Sequence, residues 1–87
     1  MPHFVYLLEC RDKSYYCGYT IDPKKRVACH NSGKASKYTK PRRPVRMIYL
    51  ETYDDKSTAL KREYEIKQLT RKEKELLVQA GFYSPEE

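Results

Sequence analysis

Residues 3–20 read HFVYLLECRDKSYYCGYT, two β-rich runs joined by the polar tetrapeptide at 11–14. Large apolar or aromatic side chains occupy every position from Phe4 to Leu8, so both faces of the first run are apolar. This pattern is typical of a strand buried on both sides. The second run, at 15–20, follows after only four polar residues. The two runs therefore predict an antiparallel hairpin.

A first helix is predicted to follow the hairpin. Asp22 is a favourable N-cap residue, and Pro23 suits the first helical position. The helix is expected to run to about Asn31, because Gly33 can supply the left-handed turn that ends it. Residues 32–44 contain glycine, serines and two prolines, so this stretch is predicted to be mostly loop.

A third strand is predicted at residues 45–53, with Met47, Tyr49 and Glu51 on one face. A second helix is expected to begin within residues 54–57, which offer several N-cap side chains.

This second helix is expected to end near Leu69. A third helix is predicted to begin at Thr70, because Thr70 and Glu73 have the spacing of a capping box. The order β-β-α-β-α-α predicts an α+β fold, with one small three-stranded antiparallel sheet flanked by helices. The domain is expected to occupy residues 1–80, followed by a tail at 81–87.

The composition argues against several classes of protein. No run approaches the ~18 apolar residues of a membrane span. The N-terminal residues lack the charged start and apolar run of a secretory signal, so a cytoplasmic protein is expected. The three cysteines are odd in number and without CxxC spacing. They fit neither a disulfide framework nor a zinc site, and buried thiols are expected.

Positive charge is concentrated in the middle of the chain. Lysine and arginine number 18 against 12 aspartate and glutamate, a net charge of +6. Such an excess favours partners that carry phosphate. Residues 34–46 contain no acidic side chain at all. The nucleic-acid-binding candidates here are Lys34, Lys37, Tyr38, Lys40, Arg42 and Arg43.

Glu63 occupies an unusual position for an acid. On a helical wheel it falls inside the apolar stripe formed by Ala59, Leu60 and Ile66. An ionised carboxylate facing a core is unfavourable unless it is paired or holds a cation. Two explanations stay open. Glu63 either reaches the edge or pairs with an arginine such as Arg26, or it is a magnesium ligand completed by water and a substrate phosphate.

Four further residues are candidates for a polar pocket. Arg26 and His30 are one helical turn apart and can reach the same neighbour, although a histidine in this setting can also be purely structural. Tyr6 and Tyr16 are central in the paired strands. Gly18, on the same face as Tyr16, indicates a bulge or the close approach of another group.

These residues also form a recognisable pattern. Phe4-Val5-Tyr6, with Tyr16-Cys17-Gly18 ten residues later, resembles the pair of tripeptides that names the GIY-YIG nuclease family. The pattern continues with Arg26-x-x-x-His30 and Ala59-Leu60-x-x-Glu63, over residues 3–69. The chain is similar to the short stand-alone YhbQ/YazA-type members. It departs from the family pattern at Phe4, Val5 and Cys17, where Gly, Ile and Ile stand.

The resemblance implies roles for five residues. Glu63 would hold a single Mg²⁺ or Mn²⁺, and Arg26 would bind a non-bridging phosphate oxygen. Tyr6 is the best candidate for the general base, provided that nearby cations depress its pKa. Tyr16 and His30 would orient water, bind phosphate or relay the proton. Which of the two tyrosines and His30 is the base stays open.

The resemblance implies a divalent-metal-dependent endonuclease that hydrolyses phosphodiester bonds in DNA, with structure-selective cleavage and a role in repair or recombination as finer expectations. DNA is favoured over RNA through the family alone. Residues 34–43, called the basic loop below, and Gly18 are expected to contact nucleic acid. The contacts are expected mainly along the nucleic-acid backbone, which carries little sequence information. The protein is expected to be a monomer and not to bind a membrane. A protein partner is one possible source of its substrate specificity. The alternatives are a non-catalytic nucleic-acid-binding module and an interaction protein.

Overall fold

Three β-strands and three α-helices occupy residues 1–81, the part of the chain that the structure, a computed structural model, describes. They follow the predicted order: β1 His3–Glu9, β2 Tyr15–Thr20, α1 Pro23–Asn31, β3 Arg46–Tyr53, α2 Lys56–Lys67 and α3 Arg71–Ala80. Apart from Gly81, the predicted tail lies outside the described residues. Within residues 1–81, no helix has the length and apolar character needed to cross a membrane.

The sheet has the strand order β2-β1-β3, with β1 antiparallel to both neighbours. Val5, Tyr6, Leu7 and Leu8 of β1 are all buried, so both faces of this strand are covered, which confirms the prediction of a strand buried on two sides. Val5 and Leu7 pack with Ile66 of α2 on one face. Tyr6 and Leu8 belong to a second cluster on the other face, against which α1 packs. The two helices therefore lie on opposite faces of the sheet.

A β-bulge in β3 corrects one prediction. Leu7 of β1 pairs with Tyr49, whereas the next residue, Leu8, pairs with Met47, so Ile48 is an extra residue on β3. A bulge places two residues opposite one and breaks the alternation of faces. Met47 consequently packs in the Leu8 cluster and Tyr49 in the Leu7 cluster. The expectation that Met47 and Tyr49 share a face is wrong.

The helix starts follow their predicted capping residues. The Asp22 side chain caps α1, and Asp55 caps α2 by accepting a hydrogen bond from a backbone N–H. Thr70 and Glu73 form the predicted capping box of α3. Helix α2 ends at Lys67, two residues before the predicted position.

Helix α2 presents a narrower apolar stripe to the sheet than the sequence suggests. Ala59 and Ile66 are fully buried, but 41 % of the Leu60 surface is exposed. Leu60 is therefore wrongly placed on the buried face. Glu63 lies nearer to the Ala59–Ile66 line on the wheel, and its side chain is only 19 % exposed.

Glu51 of β3 has three hydrogen-bonding neighbours, of which Arg62 belongs to α2 and joins that helix to the sheet. It accepts hydrogen bonds from Arg62 Nε at 2.9 Å and from the Tyr49 and Tyr53 hydroxyls. Burial raises the pKa of the Glu51 carboxyl, but the hydrogen bonds from Arg62 and the tyrosines outweigh it, so the pKa is lowered overall. The carboxylate is thus ionised and fully engaged. This cluster was not foreseen from the sequence.

Candidate functional site

Tyr6 and Gly18 form the base of the site. They are directly paired between β1 and β2, and 1 % of the Tyr6 surface is exposed. A Cβ atom at Gly18 would overlap the phenolic oxygen and Cζ of Tyr6. The glycine therefore leaves the space that the phenol occupies, which is the close approach expected from the sequence. Contact between Gly18 and nucleic acid stays a prediction.

A chain of buried hydrogen bonds starts at the Tyr6 phenol. The phenolic oxygen lies 3.0 Å from His30 Nε2, and His30 Nδ1 lies 2.9 Å from Thr39 Oγ1. The Thr39 hydroxyl donates in turn to the Ser36 carbonyl at 3.4 Å. Burial, together with the charge of Arg26, lowers the pKa of His30. The imidazole is therefore neutral at pH 7.

Arg26 lies beside the Tyr6 phenol. Burial raises the pKa of Tyr6 to about 12, and the neighbouring Arg26 lowers it only in part. The condition that nearby cations depress the Tyr6 pKa is therefore not met by Arg26. The Arg26 Nε atom is buried without a hydrogen-bond partner among residues 1–81. In the same residues Arg26 forms no ion pair with Glu63, one of the pairings that the sequence left open.

An aromatic stack closes one side of the site. The Tyr16 ring meets His30 edge-on, with 5.1 Å between ring centroids. Tyr38 stacks on Tyr16 at 5.9 Å, and the Arg42 guanidinium lies 4.0 Å from the Tyr38 centroid. Arg42 also pairs with Asp12 at 3.0 Å. Tyr38 and Arg42, predicted to bind nucleic acid, are thereby held against the catalytic candidates.

The cationic side chains of the basic loop differ in whether they have bonding partners within residues 1–81. Arg43 donates to the backbone carbonyl of Lys40 at 2.7 Å and to that of Asn31 at 3.5 Å. Lys34, Lys37 and Lys40 are exposed, and their ammonium groups have no ion pair within residues 1–81. These three lysines are the available positive charges of the loop. Nucleic-acid contact by the loop residues stays a prediction.

Glu63 has different neighbours. It belongs to α2, which packs on the opposite face of the sheet from Tyr6. Its Oε2 atom lies 3.4 Å from Lys67 Nζ, and its backbone carbonyl is 3.8 Å from the Cys17 thiol. Hydrogen bonds and ring contacts join Tyr6, His30 and Tyr16, but the contacts of Glu63 within residues 1–81 do not include them.

The acidic side chains of residues 1–81 do not form a preformed metal site. Residues 1–81 contain no group of three or more His, Cys, Asp or Glu side chains that could hold an ion. Glu63 fits a cation held by one carboxylate, with water and phosphate as the other ligands, which is a common way to bind Mg²⁺.

Thr39 is a site residue that sequence reasoning missed. It lies in an otherwise exposed basic loop, nine residues after His30, and is fully buried. A single threonine in a loop carries no periodicity that would reveal burial. The preceding residue Tyr38 is predicted to bind nucleic acid, but that prediction gives no indication that Thr39 is buried.

Replacing Arg26 by methionine is expected to change the free energy of unfolding by no more than about 1 kcal/mol, because the unpaired Nε donor already carries a desolvation penalty of about 1–3 kcal/mol. Methionine keeps much of the aliphatic packing. Urea denaturation measures this change, with the exposed Lys25→Met as control. A loss above about 2 kcal/mol would make Arg26 a structural residue.

Comparisons with known proteins show the family to which the chain belongs. A family model described as the GIY-YIG catalytic domain matches residues 2–76. A UPF0213 protein of Staphylococcus epidermidis is 57 % identical over 79 residues, which cover 91 % of this chain and 96 % of the relative. The UPF0213 protein YazA of Bacillus subtilis is 52 % identical over 77 residues, covering 88 % and 78 %.

Two solution NMR structures share the fold. A UPF0213 protein of Bacillus halodurans is 46 % identical with a TM-score of 0.61. A protein of E. faecalis is 45 % identical with a TM-score of 0.64. In both cases the match covers 92 % of this chain and 85 % of the other. The three-stranded sheet, the tyrosine pair and the relatives lead to one conclusion: the chain belongs to the GIY-YIG nuclease family and is similar to its UPF0213 (YazA-type) members.

Proposed function

We propose that the protein is a divalent-metal-dependent endonuclease that hydrolyses phosphodiester bonds in DNA. One observation carries the proposal: Tyr6, Arg26, His30 and Tyr16 converge, and Arg26 retains a buried donor without a partner among residues 1–81. An unsatisfied buried donor is unfavourable for stability and is best explained by a ligand that it binds.

The Tyr6–His30 pair supplies a path for a proton. Tyr6 is protonated at neutral pH because burial raises its pKa to about 12, while His30 is neutral and can accept a proton. As water attacks phosphorus, the Tyr6 oxygen takes a proton from water and its own proton passes to His30 Nε2, 3.0 Å away. The new bond between the water oxygen and phosphorus forms as the bond to the 3′ oxygen breaks, and the released 3′ oxygen takes a proton from solvent. In this scheme Tyr6 is the base and His30 the final acceptor.

Arg26 supplies the charge for the phosphate. The neighbouring Tyr6 phenol raises the pKa of the guanidinium, so Arg26 is charged at neutral pH. The free Nε–H can bind a non-bridging oxygen, where charge increases in the transition state. Tyr16, edge-on to His30, fixes the imidazole from a second side.

Glu63 is the residue that would hold the cation. When bound there, a divalent cation would supply positive charge that offsets the charge of the phosphate. The ion pair between Glu63 and Lys67 is partly exposed, with the Lys67 side chain 49 % accessible. Such pairs contribute little free energy, so Lys67 is a weak competitor for the carboxylate.

The basic loop supplies affinity without sequence selectivity. Lys34, Lys37 and Lys40 can follow the substrate backbone, and phosphate contacts position a nucleic acid without reading its bases. Structure-selective cleavage, a role in DNA repair or recombination, and a partner that supplies specificity belong to the same proposal. We also propose that the protein is a monomer and acts in the cytoplasm.

Replacing Glu63 by glutamine is expected to lower metal-dependent cleavage about 100-fold, because the amide removes the charge that attracts the cation. The matched control is Glu65→Gln, an exposed acid on the same helix. Nicking of branched and single-stranded DNA, and of RNA of the same sequence, is measured with Mg²⁺ and with Mn²⁺. An equal loss of cleavage in the two variants would show that Glu63 is not the metal ligand.

The same assay decides between the enzyme and the binding module. Wild-type protein that binds these substrates in a salt-sensitive way but cuts none of them would contradict the proposal. The three free lysines of the loop would then serve binding alone.

A further inference from the structure

Thr39 is a fully buried residue within an exposed segment. Its neighbours Tyr38 and Lys40 are exposed, yet none of the Thr39 surface is accessible. A buried hydroxyl needs hydrogen-bond partners. Within residues 1–81 these are His30 Nδ1 at 2.9 Å and the Ser36 carbonyl at 3.4 Å.

The direction of these hydrogen bonds depends on two protons, the hydroxyl proton of Thr39 and the ring proton of neutral His30. The Thr39 hydroxyl donates its one proton to the Ser36 carbonyl at 3.4 Å, and the same carbonyl also accepts from the Lys40 backbone N–H at 3.1 Å. With its proton donated to Ser36, Thr39 Oγ1 is the acceptor in the 2.9 Å contact with His30, and the proton of the neutral imidazole is then on Nδ1. His30 Nε2 is left with a lone pair, and Tyr6 is the donor to it.

We infer that Thr39 is a positioning residue that fixes the tautomer of His30, so that the Tyr6 phenol donates its proton to His30 Nε2. With the opposite tautomer, the Nε2–H would donate to Tyr6 and His30 could not receive the tyrosine proton. The kinetic consequence rests on the proposed nuclease function, whereas the tautomer itself does not.

The position of Thr39 also connects the basic loop to the site. Thr39 contacts His30, and the adjacent Tyr38 stacks on Tyr16. One loop segment, flanked by Lys37 and Lys40, therefore touches two of the catalytic candidates. The position of this segment sets the orientation of both side chains.

The ring nitrogens of His30 provide a direct test by ¹⁵N NMR at neutral pH. The wild-type protein is expected to carry the proton on Nδ1, with Nε2 unprotonated. Thr39→Val removes the hydroxyl at nearly constant shape and should give a mixed or Nε2-protonated ring, whereas Thr39→Ser should keep the wild-type pattern. The chain has only two histidines, so His3→Gln assigns the signals.

An Nε2-protonated ring in the wild type would overturn the inference, and so would a ring unchanged in folded Thr39→Val. If Thr39→Val does not fold, the wild-type spectrum decides. In single-turnover cleavage, Thr39→Val should be slower by roughly 10- to 100-fold, and Thr39→Ser within about 3-fold of wild type. If the wild type cuts nothing, the proposed function fails, but the NMR result still stands.

Discussion

Replacing Tyr6 by phenylalanine is expected to reduce the cleavage rate by about 10³-fold, within the range that a general base contributes. The change removes only the oxygen that touches His30 Nε2 and lies beside Arg26. The aromatic ring stays packed against its neighbours in the buried cluster with Leu8. Binding of nucleic acid through the basic loop should be nearly unchanged.

The same variant leaves His30 Nε2 buried without its partner. This is expected to lower the free energy of unfolding by about 1–3 kcal/mol, so the rates must be measured well below the unfolding midpoint. Tyr19→Phe is the matched control, because its hydroxyl contacts His3 and its ring packs on the other face of the sheet. A Tyr6→Phe protein with the Tyr19→Phe rate would show that another group is the base.

Replacing Gly18 by alanine is expected to abolish cleavage and to destabilise the fold by about 1–3 kcal/mol or more. The new Cβ atom would overlap the Tyr6 phenol. The phenol cannot move easily, because it is buried and hydrogen-bonded to His30. A single methyl group would thus displace the reacting oxygen.

A double-mutant cycle tests the cause of this effect. In a Tyr6→Leu background the phenol is absent, so Gly18→Ala should lose most of its effect on the urea midpoint. An equal destabilisation in both backgrounds would contradict a clash with Tyr6. It would instead indicate a requirement of the β2 backbone itself.

The sequence predicts the local structure well because its signals are local. The capping residues Asp22 and Thr70 bond to backbone groups three residues away, so their spacing alone reveals the helix starts. The hairpin follows in the same way from a four-residue polar link. The bulge at Ile48 depends on how β3 pairs with β1, and no alternation of residues in β3 reveals it.

The candidate site shows the same limit. The spacing of Arg26 and His30 places them on one helix face, and Gly18 indicates that a group approaches closely. That the group is Tyr6, and that burial raises its pKa, depends on contacts between separate elements. The hydroxyl that completes the chain, Thr39, comes from a loop whose path the sequence does not specify.

Glu63 illustrates what a helical wheel can and cannot provide. The wheel identifies a carboxylate near the buried stripe of α2, and the side chain is indeed only partly exposed. It also places Leu60 in that stripe, although 41 % of the Leu60 surface is exposed. The wheel gives a direction around the helix axis but not the distance to the sheet, so the identity of the Glu63 partner could not be predicted.

The central claim, that the Tyr6 site hydrolyses phosphodiester bonds, is tested most directly by single-turnover cleavage of a labelled branched DNA with Mg²⁺. Wild-type and Tyr6→Phe proteins are purified in the same way and compared. We expect the wild type to leave 5′-phosphate and 3′-hydroxyl ends and to stop when the metal is chelated, with the variant about 10³-fold slower. Equal cleavage by the two proteins, or none by the wild type with either Mg²⁺ or Mn²⁺, would contradict the claim.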